Sequence, residues 1–396
     1  MSRRIAAAVS VGAAAVVVRE YDEDSDKTAV EEMETKCDET GPRGKPTMVS
    51  DLLGDPLRRV RHFPSHVMLV AEYGEGREVV GVVRGCVKTV TRGDSDYVKL
   101  AYVLGLRVSP LHRNLGVGTK LVQALEEWFK RQGATYAYMA TDCTNAPSIN
   151  LFTKKCSYTK FRTPTMLVQP VHAHIKPVGS DISIIRLTPK SSESIYSRVF
   201  KNSDFFPLDI GSVLASRSSL GTFMAVPRKP RTKPDETDGD FPSSFAILSV
   251  WSTEEVFKLQ MKGVSRLMHA CCSGSRLLDS CMPWLRLPSF PNVFDKFWVY
   301  FMYGLHMEGE DGPHLMKGLC KFVHNLGRFD GGCGAVVTEL SPSDPVAAVV
   351  PHWRRLSWAE DLWCLKKLSA DGPETSDWIR SRSSSSPVIF VDPRDI

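Results

Sequence analysis

The strongest constraint on the fold is the run LRVSPLHRNLGVGTKLVQALEEWF at residues 106–129. An apolar strand passes through Arg113-Asn114-Leu115-Gly116-Val117-Gly118 into a helix whose Val117, Leu121, Leu125, Trp128 and Phe129 share one face. A helix start carries unpaired N–H groups and partial positive charge, and glycines there let a bulky anion approach the backbone closely. The spacing is not that of a dinucleotide-binding turn, because position 121 is Leu. It is not a P-loop either, although Lys120 follows, because that pattern needs a glycine at 114 and a Gly-Lys pair before Ser or Thr. Two readings stand: a cradle for another phosphate-bearing ligand, or a plain tight connection between strand and helix.

The flanking pattern predicts an α/β fold, a mixed sheet with flanking helices. Strands are expected at 14–19, 65–74, 77–90, 99–108, 135–142 and 165–169, with helices at 25–37, 116–132 and 147–156. Gly74-Glu75-Gly76 marks a hairpin between the second and third strands. From residue 182 a similar order returns. Gly304, Thr338 and Pro345 stand to Gly105, Thr141 and Pro147 at offsets of 199, 197 and 198 residues (304 − 105, 338 − 141, 345 − 147). An ordered echo at a near-constant offset predicts tandem copies of one fold, the second degenerate. Where the first copy has its glycine turn, the second has Gly309-Glu310-Asp311-Gly312-Pro313-His314, with two carboxylates and a proline that offers no N–H. Such a turn repels phosphate, so a single active site belongs to the first half. The expected division is a loose tail at 1–12, a ligand-binding domain at 13–172 and a degenerate copy at 180–396.

Composition narrows the function. With 396 residues, 42% apolar and 24% charged, the chain folds and has length for two cores. Its net charge of +5 is modest, and Lys and Arg form no long block outside Arg228-Lys229-Pro230-Arg231, so no nucleic-acid partner is expected. Ten cysteines without a CxxC read as reduced thiols. His172-Ala173-His174 has no further ligand cluster nearby, so no metal is expected. The apolar stretch at 5–18 is too short to cross a bilayer. It reads as a strand at Val16-Val17-Val18 or, alternatively, as a transit segment sending the protein to an organelle.

Arg113-x-x-Gly116-x-Gly118 after an apolar strand resembles the acyl-CoA pyrophosphate loop of the GNAT N-acetyltransferases. TDCTNAPSINLFTKKCSY at 141–158 resembles the family's next motif. Across nearly the whole chain, VVREYD, SDLLGDP, VKLAYVLGLRVSP, FRTPTMLV, SLGTFMAVPR, PHWRRLSWAEDLWCLKKL and the terminal IFVDPRDI are similar to the Hookless-type N-acetyltransferases of plants. The resemblance implies acetyl-CoA as co-substrate. It implies an amine of a protein (histone tails included) or of a small molecule as acceptor, in a nuclear or cytoplasmic regulator of hormone-dependent differential growth. It places the pyrophosphate on Arg113, Asn114, Leu115, Gly116, Val117, Gly118 and Thr119, and the pantetheine arm along Leu106 and Val108, with Asn145 alongside. The Leu106 N–H then faces the thioester carbonyl. The position of the family's acidic Tyr is Phe152, which has no proton to give, and that of the histone-acetylating members' Glu base is Tyr102. Asp142, Glu72 and His112 are the other base candidates. An active acetyltransferase and a non-catalytic acetyl-CoA-binding or interaction module are therefore both open.

Overall fold

The computed structural model describes residues 16–39, 47–92, 96–228, 242–357, 361–369, 378 and 388–396. The expected tail and transit segment, and residues 14–15 of the first strand, lie outside them. The first half runs β1 (Val16–Glu20), α1 (Glu23–Glu39), β2 (Thr47–Asp51), β3 (Ser65–Tyr73), β4 (Glu78–Arg92), β5 (Asp96–Val108), α2 (Val117–Arg131), β6 (Tyr136–Asp142), α3 (Ala146–Asn150), β7 (Thr159–Arg162) and β8 (Thr165–Pro170). The second runs β9 (Ile182–Leu187), α4 (Pro189–Val199), α5 (Ile210–Leu214), β10 (Ser219–Pro227), β11 (Phe245–Ser252), β12 (Lys258–Lys262), α6 (Arg266–Cys281), β13 (Trp298–Glu308), α7 (Gly312–Phe329), β14 (Cys333–Leu340) and β15 (Asp361–Lys367).

The strands form a seven-stranded sheet, β1-β3-β4-β5-β6-β15-β7, and a six-stranded sheet, β8-β14-β13-β11-β10-β9. Each is mixed and holds one parallel pair, β5 with β6 and β13 with β14, joined by a long amphipathic helix. The period-2 alternation of β3 sends Val67, Leu69 and Ala71 to the α2 face and Met68 and Val70 to the α1 face, so the two helices cover opposite sides of the first sheet.

Two strands depart from the expected plan. Strand 165–169 forms as β8, but it joins the second sheet, pairing antiparallel with β14 from Thr165–Leu340 to Pro170–Ala335. The place beside β6 is taken by β15 from the far end of the chain, paired over seven residues from Asp361–Asp142 to Lys367–Tyr136. The reason is burial. Leu362, Trp363, Cys364 and Leu365 are buried in succession, a pattern suited to a central strand covered on both faces. The expected helix 147–156 also breaks up: α3 ends at Asn150 and a wider π turn carries Leu151–Lys155.

The halves share more than exchanged strands. A small third sheet pairs β2 with β12. A hydrophobic cluster runs from Tyr102 and Tyr138 of the first sheet to Phe301 and Tyr303 of the second. The chain end is threaded between them. Lys88 Nζ meets Asp395 at 2.6 Å and Asp392 at 3.3 Å, and Arg394 bridges Asp392 and Asp209.

A β-bulge recurs at the predicted repeat. Gly105 and Leu106 stand against Val83 alone, and Gly304 and Leu305 against Leu248 alone, with both glycines left-handed at φ 61° and 60°. What fills the bulge differs. A Cβ on Gly105 would meet the Arg84 guanidinium at 2.8 Å, whereas one on Gly304 would meet the Tyr196 ring at 2.7 Å.

Candidate active site

Strands β5 and β6 pair only from Leu100–Tyr136 to Val103–Met139 and then diverge. Beyond that point a groove of about 830 Å³ opens between Leu104–Val108 on one side and Met139–Thr141 on the other. Its far end is the glycine turn. Asn114 and Gly116 are both left-handed, at φ 64° and 81°, and a Cβ on Gly116 would meet nothing within 4 Å. Gly118 serves packing instead, since a Cβ there would stand 3.2 Å from Leu151. No side chain caps α2, and the first bond across its turn runs from the Lys120 N–H to the Gly116 carbonyl. The N–H groups of Val117, Gly118 and Thr119 therefore precede any intrahelical acceptor and face the groove end with the helix's partial positive charge.

The lining carries Arg107, Arg113 and Lys155 but, among the described residues, no carboxylate. That charge pattern suits a polyanion with an apolar arm. Leu106, Val108, Arg113, Asn114, Gly116, Val117, Gly118, Thr119 and Asn145 all line the groove, so the loop and strand candidates converge. Leu115 does not line it; its side chain turns half exposed to solvent. Asn145 caps α3 by accepting from the Ser148 N–H at 3.3 Å, and its Nδ2 donates to Thr141 Oγ1 at 3.1 Å. Cys37 is a lining residue that sequence reasoning missed. Its Sγ approaches the Val108 carbonyl at 3.4 Å, and burial raises its thiol pKa, so it is a poor nucleophile.

The proposed acid and base positions are placed less favourably. Tyr102 is buried in the core shared by both halves. It stacks on Tyr138 at 4.5 Å, its hydroxyl donates to the Asp395 carbonyl at 3.1 Å, and burial pushes its pKa up. It does not line the groove. Asp142 lies at the exposed end of β6, where its Oδ1 accepts from the Thr144 N–H at 2.6 Å and hydroxyl at 2.5 Å, closing a turn. Glu72 is buried against Arg19 at 2.7 Å on β3. His112 lines the groove, its ring 5.0 Å from that of Tyr73. Phe152 lines it too, buried edge-on against Tyr158.

Carboxylates gather on the other face of the sheet. A second groove of about 380 Å³ is bounded by Glu31, Glu34 and Asp38 of α1, Asp51 and Asp55, and Arg59, Arg84 and Arg107. It shares Gly105 and Arg107 with the first groove, so the bulge is common to both. Arg84 is fixed beneath it by the Pro56 carbonyl at 2.5 Å and Glu34 at 3.0 Å, and Arg107 pairs with Asp38.

The His172–His174 pair is structural. His172 bonds the Ser289 carbonyl at 2.8 Å and His174 bonds Asp279 at 2.8 Å, and burial lowers the His172 pKa to about 4. Among the described residues no group of three or more His, Cys, Asp or Glu is arranged to hold a metal ion.

Residues 30–158 match the Acetyltransferase (GNAT) family. The chain is 46% identical to the Arabidopsis thaliana probable N-acetyltransferase HLS1, over 96% of this chain and 99% of that protein. It is 42% identical to the Oryza sativa subsp. japonica acetyl transferase GW6a, over 96% and 97% respectively. Among solved structures it resembles Saccharomyces cerevisiae N-myristoyltransferase with bound myristoyl-CoA, at 9% identity and a TM-score of 0.53 over 92% of this chain and 81% of that one. A GCN5-related glucosamine N-acetyltransferase region of a fungal multi-domain β-N-acetylglucosaminidase gives 16% identity and a TM-score of 0.53, over 89% of this chain and 38% of that one. These two likenesses are of fold.

Proposed function

The chain belongs to the GNAT acetyltransferase family, and from that premise we propose that it transfers acetyl from acetyl-CoA to an amine across the Gly105 bulge. The observation that carries this reading is the pair of grooves meeting at one bulge, one cationic and ending in an open glycine turn, the other rich in carboxylates. The N–H groups from Asn114 to Thr119 hold the pyrophosphate. Leu104–Val108, free of β6, offers its edge to the pantetheine arm as to an added strand. The Leu106 N–H polarises the thioester carbonyl.

The acceptor enters from the opposite face. Glu34 or Asp38 takes the amine's proton, directly or through water; the C–N bond forms, the C–S bond breaks, and the thiolate takes up a proton from solvent. This places the base on α1 rather than at Tyr102 or Asp142. Histone lysines as acceptors, a nuclear site and a role in hormone-dependent growth rest on the resemblance alone and belong to the same proposal.

The test is calorimetric titration with acetyl-CoA, followed by CoA release over a panel of amines and histone peptides. Binding with turnover supports the proposal, and absence of binding overturns it. Phe152 and the buried Tyr102 favour a second reading, a regulatory module that binds acetyl-CoA without turnover. Tight binding with no CoA release over the whole panel selects that reading.

A further inference from the structure

Helix α6 is built inside out. It rests on the protein through polar groups. Asp279 is fully buried and meets His174 at 2.8 Å and the Ser289 hydroxyl at 2.6 Å. Arg276 donates to the Val171 carbonyl at 2.8 Å, and Ser275 accepts from the Phe290 N–H at 3.4 Å. Cys272, Ser275, Arg276 and Asp279, at i, i+3, i+4 and i+7, form this inward stripe. The apolar side chains face solvent instead: Leu267 is 76% exposed, Leu277 65% and Trp284, in the turn that follows, 72%. Six of the fifteen exposed large apolar side chains among the described residues lie between 267 and 285. A surface helix normally turns its apolar stripe inward, and a contiguous exposed patch marks a site of association.

Charge specifies the partner. From Lys262 to Arg286 the charged residues are Lys262, Arg266, Arg276, Asp279 and Arg286. Asp279 is sealed in the interior and Arg276 is turned inward, so the charges facing solvent are Lys262, Arg266 and Arg286, all positive. Leu, Met and Trp flanked by Arg266 and Arg286 is also the composition of a protein-interface centre, where Lys is depleted. We propose that the α6 face docks an amphipathic helical segment of another protein, with apolar side chains at helical spacing flanked by carboxylates. None of the groups that hold α6 lines either groove, so docking leaves the acetyl-CoA site free.

The probe is a fluorescein-labelled synthetic helix with Leu at i, i+3, i+4 and i+7 and Glu elsewhere, titrated with the full chain by anisotropy. Binding at low ionic strength that weakens with added salt is expected. Leu278→Glu with Trp284→Ala should weaken it at least about tenfold, as for loss of interface anchors. Arg266→Gln with Arg286→Gln should flatten the salt dependence and weaken binding at low salt. All four positions are exposed, and unchanged acetyl-CoA affinity and circular dichroism confirm intact folding in both variants. Four results overturn the proposal. They are no binding of the Glu helix at low salt, equal binding of a Lys counterpart, equal binding by either variant, and a preference for phosphatidylserine vesicles over the Glu helix. A dimer of the parent chain that Leu278→Glu dissolves would assign the face to a second copy and overturn it as well.

Discussion

At the scale of single residues, the two glycines of the turn have separate jobs that their spacing hides. Gly118 makes room for Leu151, whereas Gly116 opens onto empty space in a left-handed conformation. Gly116→Asp meets no atom in the fold but sets a carboxylate beside the expected pyrophosphate. At about 4 Å and an effective dielectric near 20 the repulsion is roughly 4 kcal/mol. Acetyl-CoA affinity should fall by two to three orders of magnitude, while the left-handed backbone at 116 costs the variant about 1–2 kcal/mol of stability; undiminished affinity in a folded variant would remove the phosphate role from the loop. The proton-transfer residues show how far sequence reaches. The positions proposed for backbone roles, Leu106 and the loop, were legible as one groove because they follow from strand, turn and helix start. The proposed base was not, because the choice of Glu34 or Asp38 depends on which side chains α1 brings to the other face of the bulge. Tyr102→Phe should leave CoA release intact and cost about 1 kcal/mol of stability through its bond to the Asp395 carbonyl. Glu34→Gln or Asp38→Asn should depress turnover while acetyl-CoA binding persists, and unaltered turnover in both would free the mechanism of α1.

At the scale of elements, periodicity located most of what it could. The 65–74 and 77–90 hairpin and the helix at 116–132 appear within two residues of expectation, because their alternation or amphipathic stripe is one-sided. Short strands such as β2, β7 and β12 carry no such stripe and take their form from partners distant in the chain. Helix α6 was missed for a related reason, since its apolar residues are visible in sequence but lie on the side away from the core. The contact of α2 with β4 sets the groove's geometry and rests on a glycine. A Cβ on Gly85 would come within 2.7 Å of both Leu125 and Phe129. Gly85→Ala should therefore push α2 outward and cost about 1–3 kcal/mol, as overpacking does. Urea unfolding measures the loss, and weakened acetyl-CoA binding should accompany it. An unchanged midpoint would mean that the helix yields there without strain.

At the scale of the whole molecule, the two sheets share a local plan, a parallel pair joined by a long helix and a bulge at Gly105 and at Gly304, yet they are not independent. Nothing in residues 165–169 or 361–367 states that the two strands trade sheets; only the unbroken burial of Leu362–Leu365 hints that β15 is central. The seam carries a titratable signature. Glu339 of β14 accepts from Trp363 Nε1 of β15 at 3.0 Å, and burial pushes its pKa up to about 8. Folding therefore retains a proton that the unfolded chain has released, so stability falls as pH rises from the ordinary carboxylate range to about 8 and is level above. Glu339→Gln keeps an acceptor for Trp363 and removes the proton, so its melting temperature should gain on the parent's across that window; parallel curves would refute the assignment. The exchange also decides what a fragment does. Residues 1–172 carry the whole glycine turn but lack β15, which covers β6 over seven paired residues, and Asp392 and Asp395, which neutralise the buried Lys88. They also carry β8 with no β14 to receive it. An exposed sheet edge, a stranded apolar strand and an unpaired buried ammonium, the last alone worth about 3–5 kcal/mol, exceed what a domain of that size can spare. Expressed alone, residues 1–172 should fail to bind acetyl-CoA and should aggregate or lack a cooperative melt; co-expression with residues 173–396 should restore a soluble complex that binds. A stable, binding-competent 1–172 fragment would show that the first sheet closes without β15 and that the exchange matters to assembly rather than to the site.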